Sequence, residues 1–197
     1  MAIKSKGTTG TTYKELQGMY LLDAGDGTSV SHFDITYGVN NLNDNYKVYK
    51  IFLRDIDVDG YQLHMTHLSS ANTPATTGHY GGGMFLGEGI TTGSSEAWSN
   101  TNHHPLSLGE SATSLSGAYT ANMEITIYQN ITQGSGRMAC NWNGMFRTSG
   151  GSTIGLWGGG TTTGDGDYGV RIRTNDANNQ RIIHYTYAMY GLGGFTQ

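Results

Sequence analysis

Only one cysteine, Cys140, stands among 197 residues, so no intramolecular disulfide and no Cys-based zinc site is expected. The sequence therefore predicts synthesis in a reducing cytosol, or exit by a route other than ordinary secretion. Proline supplies just 2 residues, which excludes a collagen-like chain and a Pro-rich linker. Charged residues make up 13%, about half the usual share, and the net charge is -4. Eleven basic residues face fifteen acidic ones without a basic run, so no nucleic-acid partner is expected. No apolar run approaches the ~20 residues of a membrane span, and no membrane partner is expected. The opening Met1-Ala2-Ile3-Lys4-Ser5-Lys6-Gly7 has no apolar core, so no secretory signal is predicted. Leu, Ile, Val and Phe together supply only 35 residues. A disordered chain shares that scarcity, but it would also be highly charged and poor in aromatics.

Aromatics are plentiful instead: 13 Tyr, 3 Trp and 5 Phe offer large areas to bury, alongside 31 Gly. The length suits one domain of ordinary size. Period-two alternation recurs along the chain. Val30 to Tyr37 sets Phe33 and Ile35 against His32 and Asp34, and Tyr46 to Ile56 sets Tyr49, Ile51 and Leu53 against Val48, Lys50 and Phe52. Tyr61 to Leu68 places Tyr61, Leu63 and Met65 on one face, and Met123 to Ile131 opposes Ile125 and Ile127 to Glu124 and Thr126. Met138 to Arg147, Thr153 to Trp157, Tyr168 to Arg173 and Ile182 to Tyr190 complete about eight strands. Asp57-Val58-Asp59-Gly60 reads as a hairpin turn, because Asp-Gly tolerates positive φ. Tyr13 to Leu22 fits a short helix capped by Thr12, or equally a strand. The expectation is an all-β chain: an antiparallel β-sandwich or jelly roll over 13-197, preceded by an extended polar arm over 1-12. Residues from about 71 to 117 read as a long loop insertion around Met84-Phe85-Leu86.

Asp55, Ile56, Asp57, Val58, Asp59 and Gly60 match the opening of a calcium loop, D-x-D-x-D-G. The twelfth position is Thr66 where a bidentate Glu is required, so a plain turn is the better reading of Asp55, Asp57 and Asp59, and no metal or other cofactor is expected. Asp165-Gly166-Asp167 carries the same caution. His64, His67, His79, His103 and His104 lack an H-E-x-x-H pattern, and His64 and His67 face opposite sides of a strand, so surface histidines are expected. Glu88, Glu96, Glu110 and Glu124 could serve a glycan hydrolase, yet nothing pairs them and no G-x-S-x-G occurs. No catalytic residue is therefore expected. Gly81-Gly82-Gly83 and Gly158-Gly159-Gly160 open no helix and read as turns. Trp142 and Trp157 lie on expected strands and read as core. Trp98, in a loop, together with Tyr80 and Tyr119, is the candidate surface for a glycan or a protein interface.

Three segments carry a resemblance. Asn45 to Ile56 followed by Asp59 to Met65 resembles the tyrosine, strand, turn, strand opening of small β-sandwich proteins in tailed-bacteriophage particles. Met123 to Asn130 is similar to their middle strand, and Tyr168 to Thr174 with His184 to Leu192 to their closing pair. The resemblance spans about residues 30 to 192 and departs at the 71-117 insertion. It implies a structural protein of the virion, made in the host cytoplasm and displayed on the capsid, tail or fibre. Its implied partners are other capsid or tail subunits and further copies of itself, a trimer being the expected count. The alternative is a carbohydrate-binding module for host attachment, with surface glycans as partners.

Overall fold

The computed structural model describes residues 18–36, 46, 48–58, 63–70, 73–87, 94–106, 121–129, 138–147, 153–163, 168–174 and 182–192. Within them the chain is all-β, with no helix, and every pairing is antiparallel. The larger sheet has eight strands. Edge to edge they are β1 (Met19–Val30), β13 (Ile182–Leu192), β3 (Val48–Val58), β9 (Ala121–Gln129), β10 (Met138–Arg147), β11 (Thr153–Thr162), β6 (His79–Gly87) and β7 (Ser94–Thr101). The smaller sheet runs β2 (His32–Thr36), β12 (Gly169–Thr174), β4 (Leu63–Ser70) and β5 (Thr73–Pro74), and β8 (His104–Pro105) also pairs with β4. The described residues thus hold thirteen strands where about eight were expected. The expected arm over 1–12 lies outside the described residues; of the helix-or-strand alternative over Tyr13 to Leu22, residues 13–17 also lie outside them, and Met19 to Leu22 are strand, in β1.

Alternation decides which side of each strand is buried. Tyr49, Ile51 and Leu53 of β3 meet Ile125 and Ile127 of β9 on the inner face of the larger sheet. Phe33, Ile35, Met65, Val170 and Ile172 close on them from the smaller sheet, in a sandwich-like arrangement with one core. Truncating Ile51 or Ile125 to Ala costs about 2–5 kcal/mol at such sites. Aromatic rings extend the core where aliphatics run short. Phe33 stacks on Tyr185 at 3.9 Å with an interplanar angle of 1°, and the Tyr187 hydroxyl donates to Asp23 Oδ2 at 2.9 Å.

Two irregularities shape the sheets. Asp55 adopts φ 51° inside β3, where the register to β9 shifts between Leu53 and Ile56. This bulge reverses the strand's phase, so Ile56 and Val58 also point inward. Ser29, at φ 56°, precedes the bend at Ser31 that carries the chain from β1 in one sheet to β2 in the other. The Asp57–Gly60 hairpin is corrected: β3 and β4 lie in different sheets, so this connection crosses between layers. The loop insertion over 71–117 is corrected as well, since β5, β6, β7 and β8 all fall within it. Their glycines, serines and histidines lack apolar alternation, which is why they read as loop. Sheet pairing supplies the order that the side chains do not announce.

Candidate functional site

The two glycine triplets are not turns but facing strand segments: Gly81 pairs with Gly160, Gly82 with Gly159 and Gly83 with Gly158. On the inner side the missing side chains leave room for large rings. A Cβ on Gly158 would lie 2.3 Å from Trp142 Cε2, and one on Gly160 would lie 2.6 Å from His104 Cε1. On the outer side the paired Gly82 and Gly159 leave the backbone without side chains.

Pairing fixes what stands on that outer face. One row across the strands reads Met84, Trp157, Asn143, Glu124, Phe52, and the next reads Leu86, Gly155, Met145, Asn122. Met145 is 64% exposed, Met84 and Leu86 49% each, and Trp157 46%. Met19 and Leu21, also exposed, lie apart from these on the far edge strand β1. The Trp157 indole leans over Gly155, with Cη2 3.3 Å from where a Cβ would sit. Between Phe52 and Trp157 lies an open groove of ≈ 450 Å³, floored by Glu124, Asn143 and Asn122 and flanked by Arg54 and Met145. Glu124 forms an ion pair with Lys50, both side chains 30% exposed. Single exposed large apolar side chains are ordinary, whereas a contiguous set on one face marks a contact surface.

A second constellation lies inside. His67 on β4, His79 on β6, His104 on β8 and Cys140 on β10 are all buried. One donor atom each from His67, His104 and Cys140 fall within 4.8 Å of one another. The His79 ring lies 4.8 Å from that of His104 and 5.6 Å from that of His67. Trp98 donates its indole N–H to His104 Nδ1 at 3.2 Å, and stacks on Trp142 at 5.8 Å. Burial pushes His67 and His64 down to about 3, His79 and His103 to about 4 and His104 to about 2. Neighbouring imidazoles deepen the shift at His64, His67, His103 and His104, and the Arg173 guanidinium adds to it at His64, His79 and His103. Burial also raises the Cys140 thiol to about 12. Among the described residues, neither ring nitrogen of His67 has a hydrogen-bond partner, and neither does His104 Nε2. A buried polar atom left in that state costs about 1–3 kcal/mol.

Several sequence expectations change at these two places. Trp98 is not in a loop: it lies on β7, 9% exposed, with its ring inside the sandwich. Trp142 is core as expected, at 2% exposure. Trp157 is not core but outward, and strand parity carries the signal. Ile154 and Leu156 are buried on the inner side, so the residue after Leu156 must face out. Tyr80 is half-buried on β6, and Tyr119 lies outside the described residues. The surface-histidine expectation fails for His64, His67, His79 and His104, all buried. The opposite facing of His64 and His67 holds. His67 joins the inner cluster, while His64 stacks on His103 at 3.8 Å. Strand β3 runs through Asp55 and Asp57 to Val58, an extended and bulged course in place of a calcium loop, and Asp59 lies outside the described residues. Of the four glutamates, Glu124 is committed to Lys50. Comparison with protein-family models, with curated proteins and with solved structures finds no match to this chain.

Proposed function

We propose that this chain is a structural component of a tailed-phage virion, displayed on the particle, that works by protein–protein contact through the outer face of its larger sheet. The observation that carries the reading is the gathering of Met84, Leu86, Met145 and Trp157 on one solvent-facing platform. Met and Trp are enriched in protein interfaces, and charge is depleted at interface centres. Among the described residues that line the groove, Arg54 and Glu124 carry charge, and Glu124 is neutralised by Lys50. An interface of this composition loses little strength in salt. The virion assignment itself rests on the strand resemblance of residues 30 to 192, and the occupant of the face is a neighbouring virion subunit or a further copy of the chain. The experiment is the copy number per particle, from quantitative mass spectrometry of purified virions. A count equal to the major capsid protein, or a simple fraction of it, makes the chain a decoration protein. A small multiple of the tail subunits makes it a tail component, and absence from the particle overturns the reading.

A second reading belongs to the groove alone. Trp157 lying over Gly155, beside the amides of Asn143 and Asn122, offers a ring platform with hydrogen-bonding groups at its edge, the chemistry that holds a sugar. This moves the glycan candidate from Trp98 to Trp157. Titration with host surface glycans tests it, and binding that disappears in Trp157→Ala supports it. Flat isotherms remove it.

A further inference from the structure

We propose that His67, His104 and Cys140 bind one zinc-class transition-metal ion between the two sheets, with His79 as the adjoining fourth donor. Two independent observations support the site. The donor atoms of His67, His104 and Cys140 already converge within 4.8 Å. A tetrahedral ion with Zn–N and Zn–S bonds of about 2.0–2.3 Å needs about 3.3–3.6 Å between donors, a closure of roughly 1 Å. Side-chain torsions can supply that. His67 is fully buried, yet neither of its ring nitrogens has a partner among the described residues. A neutral imidazole always carries one N–H and one lone pair, so the lone pair is available to an ion. His79 stands beside the cluster, with Nδ1 3.2 Å from the Thr101 carbonyl, which can only accept. The proton therefore sits on Nδ1, and the Nε2 lone pair accepts from the His67 backbone N–H at 3.4 Å, a bond that opens if His79 becomes the fourth donor.

The four residues come from β4, β6, β8 and β10, two strands of each sheet, so the ion would staple the layers together. Gly160 makes the space, since any Cβ there would strike His104, and its carbonyl accepts from Cys140 Sγ at 3.6 Å. One sulfur and three imidazole nitrogens in a buried setting suit tetrahedral Zn²⁺ over a hard cation. The protons balance as follows. The Cys140 thiol gives its proton to solvent and becomes the thiolate ligand. His104 now accepts from Trp98 at Nδ1 and so holds its proton on Nε2. Coordination through Nε2 moves that proton to Nδ1, which opens the Trp98 hydrogen bond.

The test uses the full chain, stripped of metal under anaerobic conditions and titrated with Co²⁺, then Zn²⁺. One Co²⁺ per chain is expected, with visible tetrahedral bands, a sulfur-to-cobalt charge-transfer band in the near ultraviolet and altered tryptophan emission as the Trp98 bond opens. Zn²⁺ then displaces the colour. Cys140→Ser should lose the charge-transfer band and at least tenfold in affinity, and its thermal midpoint should no longer rise with Zn²⁺. Folded wild-type protein that shows no sulfur-to-cobalt band overturns the proposal, whatever the variant does. An unchanged spectrum in folded Cys140→Ser also overturns it, because the ion then sits elsewhere.

Discussion

Trp98 and His104 are bound to each other inside the sandwich: the indole N–H reaches Nδ1 at 3.2 Å, six residues along the chain and across to the other sheet. An indole nitrogen can only donate, so it fixes the tautomer of a histidine that has no second partner among the described residues. Trp98→Phe keeps a ring against Trp142 but leaves His104 Nδ1 unpaired. In metal-free protein the expected loss is about 1–3 kcal/mol by urea denaturation. A loss below about 0.5 kcal/mol, the range of an ordinary surface change, would contradict the pairing.

Gly160 and Gly159 are neighbours with opposite surroundings. A Cβ at Gly160 would lie 2.4 Å from the Tyr80 carbonyl oxygen and 2.6 Å from His104 Cε1, whereas at Gly159 the closest atom is the Cys140 carbonyl oxygen at 3.2 Å. Gly160→Ala should therefore destabilise by about 1–3 kcal/mol or more, as overpacking does. Gly159→Ala should cost clearly less. Equal midpoints for the two in thermal unfolding would refute the close approach.

The buried imidazoles make metal-free protein sensitive to mild acid. Burial, aided by Arg173 and by the other histidines, lowers His64, His67, His79, His103 and His104 in the folded state. The unfolded chain takes up protons below about pH 6.5, the folded one only near pH 4 and lower. Stability is thus fully present above pH 6.5 and is lost as pH falls through that window. The interval from pH 6.5 to 5 reports on histidine alone, because carboxylates of the unfolded chain titrate near pH 4. Urea midpoints should fall across it. A flat profile down to pH 5 would contradict the burial.

Two ion pairs should differ in worth. Arg171 holds Asp34 bidentately, Nε to Oδ1 at 2.7 Å and Nη2 to Oδ2 at 2.9 Å, with side chains 13% and 19% exposed. Asp34→Ala strands the guanidinium between β2 and β12 and should cost about 1–3 kcal/mol. Glu124→Ala, releasing the more exposed Lys50, should cost at most about 1 kcal/mol. Chemical denaturation of the two variants decides the order, and a reversed order would count against the account.

Strands with apolar alternation were legible in the sequence: Tyr49, Ile51 and Leu53, Ile125 and Ile127, and Phe33 and Ile35 all fall on the inner side as their spacing requires. What escaped was whatever only pairing reveals. Gly81–Gly83 has no pattern of its own and becomes strand because Gly158–Gly160 lies opposite. Trp157 hid behind the rule that tryptophan is core, although Ile154 and Leu156 set the parity that turns it outward. The histidine cluster joins residues 67, 79, 104 and 140 from four strands, and no local spacing encodes such a meeting. The bulge at Asp55 let Asp55-Ile56-Asp57-Val58 read as the start of a loop when these four residues belong to a strand.

The most direct measurement is oxidative footprinting of intact particles against the free protein, read at Met84, Met145 and Trp157. Methionine and tryptophan report their own solvent exposure, and buried Met65 serves as the internal control. Strong protection of the three outer-face residues in the particle, with Met65 unlabelled in both states, is the predicted result. Equal oxidation in free and assembled protein, or a particle that lacks the chain, would contradict the claim that this face is its working surface.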